Sequence, residues 1–349
     1  MSFNTINNIQ TQAMNYSYFI GIDMSKEWFD AAIRQPGKPR YIRHQQFENT
    51  EKGFNAFVKW LKQNGISDFS LLFICMEHTG VYTVPLCQFL SQKSITYTLV
   101  PGAEVTNSQG ITRGKSDKLD AKRIAAYALK NREEIRIHTL PSEKLRTLKT
   151  LLAYRERLLK AKHGFTVSLK EIKAFEVTAV ANSILEGSEQ MINSCNQQIK
   201  KVDKQIDQCI EAHPELNNNY KLLLSIPGIG RQNALYMIVF TKNFVSFNCP
   251  KKFASYAGIA PFKKSSGKSL NSSSKVSQKA NKKMKALLTA AAVNGLNRCN
   301  EYQIYYHKQL KKGKNEYSVK NVIRNKIVAR AFAVIKRNSK YVNTHAFAA

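Results

Sequence analysis

Four carboxylates in the first third of the chain have the types and spacing for phosphoryl chemistry. Asp23 closes the apolar run at 18–24, and Glu77 closes the apolar run at 71–76. Asp117 and Asp120 stand at i and i+3 at the start of a helical pattern over 116–130, so they share one helical face. Brought close, such groups repel; at an effective dielectric near 20 each close pair costs on the order of 4 kcal/mol unless a cation intervenes. Hard oxygen ligands suit Mg²⁺ or Mn²⁺, and two such ions about 3.5–4 Å apart activate a nucleophile and stabilise a leaving oxygen. Singly, each acid also fits an ordinary role, Asp117 as a helix cap or dipole partner and Asp23 as a turn residue. The joint pattern is what points to metal.

A second group of chemistry-bearing residues lies near the other end. Lys263, Lys264, Lys268, Lys275, Lys279, Lys282, Lys283 and Lys285 follow one another without an acid, interleaved with Ser265, Ser266, Ser269 and the serines at 272–274. A serine hydroxyl needs a base, a metal or local positive charge to become a nucleophile. Neighbouring lysines would also stabilise charge developing on a phosphate under attack. On residues alone, Ser-Gly in a lysine-rich loop fits a flexible linker as well. Upstream, the string from Leu222 through Gly228 and Gly230 to Leu235 predicts helix, glycine turn, helix. That is the pattern of a helix-hairpin-helix, whose glycines let backbone N–H groups face a phosphate. A ligand-free corner between two helices is the alternative.

Charge says where these groups work. The 349 residues hold 54 Lys plus Arg against 24 Asp plus Glu, a net charge of +30. Residues 1–140 carry a net +5, 141–215 +2 and 216–349 +23, with no acid between Glu215 and Glu301. Such a balance implies a polyanionic partner, nucleic acid first. With 43% hydrophobic residues the chain can bury cores, which argues against a wholly disordered scaffold. No apolar run reaches the 18 or so residues of a membrane span, and residues 1–17 are Asn/Gln-rich, unlike a signal peptide. The expectation is a cytoplasmic, nucleoid-associated protein with no membrane partner. Six scattered cysteines lack zinc-ligand spacing, and we expect them reduced.

Strand-like runs at 18–24, 28–34, 41–47, 71–76 and 96–100 alternate with helical patterns at 54–61, 81–90 and 116–130. The predicted order is β-β-β-α-β-α-β-α, its first three strands a meander. From Leu145 to Leu159 and from Ile199 to Ile210 apolar residues recur at roughly heptad spacing, predicting two long helices with a turn near Glu186-Gly187-Ser188, or at Gly164. Those helices read as an antiparallel coiled coil that dimerises or as a packed linker. The domains expected are 17–140, 141–215 and 216–340.

Three strings resemble a known family: Gly21-Ile22-Asp23-Met24-Ser25-Lys26, Glu77-His78-Thr79-Gly80, and Lys115-Ser116-Asp117-Lys118-Leu119-Asp120-Ala121. They look like the DEDD, RuvC-like (RNase H-like) domain of the insertion-sequence 110 family of transposases, relatives of the Piv-type DNA invertases. The stretch from Ile226 to Lys285 resembles that family's second domain, whose G-x-x-P…S-G motif matches Gly258, Pro261, Ser266 and Gly267. Gln278 and Ala280 depart from it, standing where the family shows Lys and Gly. The resemblance implies an α/β RNase H-like N-terminal domain, a coiled-coil middle and a mainly α C-terminal domain. It implies Mg²⁺ on Asp23, Glu77, Asp117 and Asp120, and Ser266 as the nucleophile linked covalently to DNA. It further implies donor and target DNA, a structured bridge RNA as guide, and a composite site in a homodimer or homotetramer. Two other readings share these residues: a metal-dependent junction nuclease using water, and a non-catalytic nucleic-acid-binding protein.

Overall fold

The structure, a computed structural model, describes residues 16–38, 43–110, 114, 116–134, 136–175, 179–266, 270–278 and 280–343. The chain divides into two compact units, 1–140 and 141–349.

Alternating apolar residues build the first unit around a five-stranded sheet. Its strands are β1 (Tyr18–Met24), β2 (Trp28–Arg34), β3 (Arg43–Glu48), β4 (Leu72–Glu77) and β5 (Thr96–Val100), in the order β3-β2-β1-β4-β5. The first three form the expected antiparallel meander, and β4 and β5 run parallel to β1. Period-two alternation sends Ile20, Ile22, Phe29 and Ile33 to one face, against Phe57 and Leu61 of α1 (Glu51–Gln63) and Leu86 of α2 (Val84–Gln92). Phe19, Phe73 and Cys75 face the other way, onto Ile124 and Ala128 of α4 (Asp117–Lys130). Two helices of this unit carry side-chain caps: Thr50 accepts from the Gly53 N–H, and Ser116, not Asp117, accepts from the Leu119 N–H. A short helix, α3 (Gly102–Asn107), is an element the sequence pattern did not announce.

Gly21 decides how closely helix meets sheet. A Cβ on it would lie 2.1 Å from the Ala125 nitrogen and 2.2 Å from the Ala121 oxygen, so only glycine lets α4 rest on β1.

In the second unit α5 (Glu143–Phe175) and α6 (Ala179–Glu211) run antiparallel. Lys173 pairs with Glu189 at 2.8 Å near their junction, and Arg155 with Asp203 at 2.8 Å further along. The turn is not at 186–188, nor at Gly164: both lie inside helix, the one in α6 and the other in α5. One glycine costs a helix only about 1 kcal/mol, which long flanking helices absorb. Leu148 and Leu152 of α5 and Val202 and Ile206 of α6 share one core with α7 (Pro214–Leu224), α8 (Arg231–Phe240), α9 (Pro250–Tyr256), α10 (Lys282–Arg298) and α12 (Glu316–Arg337). The helix α11 (Asn300–Lys311) buries Tyr302 in the same core. Within this helical unit sits an unexpected two-stranded hairpin, β6 (Pro261–Ser266) and β7 (Leu270–Val276). Among the described residues no helix is long and apolar enough to cross a membrane. The six cysteines are free thiols.

Candidate active site

Register brings the first two acids together. β1 and β4 are neighbours with Ile22 opposite Met76, so Asp23 and Glu77 leave the same end of adjacent parallel strands. With α4 lying on β1, its first turn carries Asp117 and Asp120 to that end. The Asp23 carboxyl is pushed up to about 6, first by burial and then by the charges of Glu77, Asp117 and Asp120, against a hydrogen bond from the Met24 backbone that lowers it. Glu77, Asp117 and Asp120 therefore all lie within electrostatic reach of Asp23, and the four come from three separate elements.

The surroundings hold each carboxylate differently. Glu77 rests against Gly102, where a Cβ would come within 2.2 Å of its Oε1. Asp120 Oδ1 accepts from Arg123 Nη1 at 2.8 Å, and Arg123 Nη2 donates to the Gly114 carbonyl at 2.9 Å. Asn49 Nδ2 donates to the carbonyls of Ser25 (3.2 Å), Lys26 (3.3 Å) and Tyr82 (3.1 Å), tying the β1–β2 turn to the segment after Glu77. Asp30 lies opposite Asp23 in register but is buried and shared between His44 Nε2 (2.6 Å) and Gln46 Nε2 (3.0 Å). Gly21, Asn49, Gly102 and Arg123 escaped the sequence reading. Only Gly21, inside the quoted motif, and Arg123, three residues after Asp120, carried any signal there.

Among the described residues no three His, Cys, Asp or Glu side chains stand close enough together to ligate one ion. The donor chemistry nevertheless fits a hard divalent cation. These are carboxylate oxygens with excess negative charge, and the raised Asp23 registers the repulsion that such an ion would relieve.

Residues expected to meet nucleic acid are placed unevenly in the second unit. Ser266 is the last residue of β6, three residues short of its partner Leu270, and Lys263 and Lys264 occupy the same strand. Lys268 and Lys279 lie outside the described residues. Lys275 and Lys282 are exposed, whereas Lys283 pairs with Glu156 at 3.2 Å and sits over the Tyr236 ring. Between α7 and α8, Gly228 has φ +92°, and a Cβ there would meet the Ala291 carbonyl at 2.3 Å. Gly228 thus serves packing against α10, while Gly230, the N-cap of α8, has open space around its Cα.

Two family models match parts of this chain. Residues 20–172 match a family model of the DEDD type of IS110, described as Transposase, and residues 220–308 match one described as Transposase IS116/IS110/IS902 family. The chain is 28% identical over 332 residues to the pilin gene-inverting protein of Moraxella bovis, covering 93% of this chain and 97% of that protein. The pilin gene-inverting protein of Moraxella lacunata gives the same identity and coverage. An uncharacterized 43.6 kDa protein of insertion element IS110 from Streptomyces coelicolor is 27% identical over 150 residues, covering 43% of this chain and 36% of that one. The five-stranded mixed sheet followed by a mostly helical region is compatible with an RNase H-like DEDD domain.

Proposed function

We propose that this chain, which carries both transposase domains of the IS110 family and is a DNA recombinase or transposase, cuts and rejoins DNA through a phosphoserine formed on Ser266, with Mg²⁺ held by Asp23, Glu77, Asp117 and Asp120. Mn²⁺ suits the same oxygens. What carries the reading is the emergence of Asp23 and Glu77 from one end of neighbouring strands, within electrostatic reach of Asp117 and Asp120.

When bound, the cation supplies Lewis-acid polarisation of the scissile phosphate. Asp23 and Glu77, fixed on strand ends, set where it sits, and Arg123 orients Asp120 from the helix. The Ser266 Oγ bonds to phosphorus as a DNA phosphodiester P–O bond breaks. The serine proton leaves to water and the departing DNA oxygen takes one up. Attack by the hydroxyl of another strand reverses the sequence, frees Ser266 and joins the new strand, so the number of phosphodiester bonds is kept. Lys275 and Lys282 hold the backbone nearby, and α7, its glycine turn and α8 act as a helix-hairpin-helix with Gly230 toward a phosphate. A bridge RNA pairing with donor and target DNA supplies sequence choice, and a net +23 over 216–349 suits both polyanions. The α5–α6 pair assembles two or four copies as a coiled coil.

The test is a strand-exchange substrate incubated with purified protein and Mg²⁺, then denatured. DNA that stays attached to protein, lost in Ser266→Ala and kept in Ser265→Ala, is the expected result. Cleavage without attachment assigns water as the nucleophile and overturns the serine. Full attachment and cleavage in both Asp23→Ala and Asp117→Ala overturns the metal centre, and DNA bound by the unaltered protein with neither cleavage nor attachment leaves a binding protein.

A further inference from the structure

The first unit holds a cleft that the chemistry above leaves unused. Its volume is about 440 Å³, within the range of small-molecule sites, and its walls include Val100, Pro101, Glu104, Tyr127, Glu134 and His138. The edge strand β5 forms one side. Segment 136–138 closes along it, with the Thr98 hydroxyl donating to the Arg136 carbonyl and the His138 N–H to the Tyr97 carbonyl, both at 2.8 Å. Helix α3 contributes Glu104 and α4 contributes Tyr127, whose hydroxyl donates to Glu104 Oε2 at 3.2 Å. Burial first, then Glu104 and Glu134, push that hydroxyl up to about 12, so it stays a donor and marks both carboxylates as its neighbours.

This lining selects among ligands. The lining sets two carboxylates, Glu104 and Glu134, against one guanidinium, that of Arg136, a balance that disfavours a phosphate. What remains is a flat, uncharged group that brings hydrogen-bond donors to carboxylate oxygens and lies against Tyr127 and His138. The cleft also adjoins the carboxylate centre. Val100 is the register partner of Glu77, and Gly102, one residue past Pro101, bears on the Glu77 carboxylate.

We propose that this cleft receives one unpaired, amino-bearing nucleobase from the DNA strand whose phosphate lies at Asp23 and Glu77, an inference that rests on the function proposed above. Cytosine offers its N4 amino group and adenine its N6 amino group to Glu104 and Glu134, whereas thymine presents a carbonyl oxygen that a carboxylate repels. Taking a base out of the stack to fill a pocket beside the reacting phosphate follows the logic of other enzymes that act on extruded nucleotides. Aromatic side chains commonly hold such bases.

The experiment measures binding of the full-length protein to labelled d(C), d(A) and d(T) single strands of equal length by fluorescence anisotropy, in metal-free buffer. Expected is an affinity about tenfold higher for d(C) and d(A) than for d(T). Glu104→Ala and Glu134→Ala, both at exposed positions and so without cost to the core, should bring the three strands toward parity by weakening d(C) and d(A) alone. Tyr127→Phe, which keeps the ring and removes the hydroxyl that fixes Glu104, should narrow the gap partway. Equal affinities in the unaltered protein, or a preference that survives Glu104→Ala combined with Glu134→Ala, overturn the proposal. Mg²⁺-dependent cleavage on the same preparation separates the two readings. A base preference without cleavage leaves the cleft standing and fells the recombinase chemistry, and cleavage without a preference does the reverse.

Discussion

The two units handle charge in opposite ways. In the first, Glu77, Asp117 and Asp120 all raise the Asp23 carboxyl by their charge, and Asp120 has Arg123 against it at 2.8 Å. In the second, acids are spent on neutralising particular cations. Glu156 pairs with Lys283, Asp203 with Arg155, Asp207 with Arg231, and Glu316 with Lys320. Glu301 takes Lys326 and Arg330, and Arg330 also lies 4.7 Å over the Tyr302 ring and 4.9 Å over that of Tyr341. Paired charge in the second unit builds a fold; unpaired charge in both units, negative in one and positive in the other, marks where a ligand is expected.

The largest effect falls on the unpaired acids. Asp23→Asn should lower single-turnover strand cleavage by about 10²–10³-fold, the scale for removing one group that stabilises transition-state charge. Its metal-free melting temperature should rise, because the substitution relieves repulsion. Cleavage unchanged with melting lowered would break the comparison.

The paired side predicts the reverse, a loss of stability. Arg330→Ala leaves Glu301, whose side chain is 9% exposed, short of its partner and should cost about 3–5 kcal/mol in urea unfolding. Burial alone would raise the Glu301 carboxyl, but Arg330 and Lys326 outweigh it and hold the group below its ordinary value. An acid depressed in the folded state adds stability above the usual carboxylate range and loses it as pH falls through the folded value. Unfolding followed from pH 7 down to pH 3 should therefore show a shallower acid limb in Glu301→Gln.

Backbone contacts give smaller effects. Gly21→Ala and Gly228→Ala should each cost about 1–3 kcal/mol in urea unfolding, since each new methyl meets backbone, while Gly230→Ala stays near neutral. The smallest effects belong to single lysines. Lys275→Ala or Lys282→Ala should each lower the salt slope of duplex binding by about 0.9, and Lys283→Ala by less because Glu156 already holds its charge.

Strong local patterns carried most of the first unit. Period-two runs gave the five strands, helical spacing gave the helices at 54–61 and 116–130, and three short motifs pointed to the four acids. The turn was misplaced because a lone glycine at 187 or 164 costs a long helix little, and both positions lie inside helix. The β6–β7 hairpin was hidden by its polar composition, although three residues containing Gly267 between two short runs is a hairpin signal. Asn49, Gly102 and Arg123 owe their roles to neighbours far away in sequence or to side-chain direction, neither of which a linear pattern records.

The carboxylate set is contributed by β1, β4 and α4, so nearly a hundred residues separate Asp23 from Asp120. Closing so long a loop precedes any of the contacts that reward it. On the function proposed above, the growing polypeptide lacks the full acid set until α4 has left the ribosome, and a proteolytic fragment that ends before α4 should not cleave DNA.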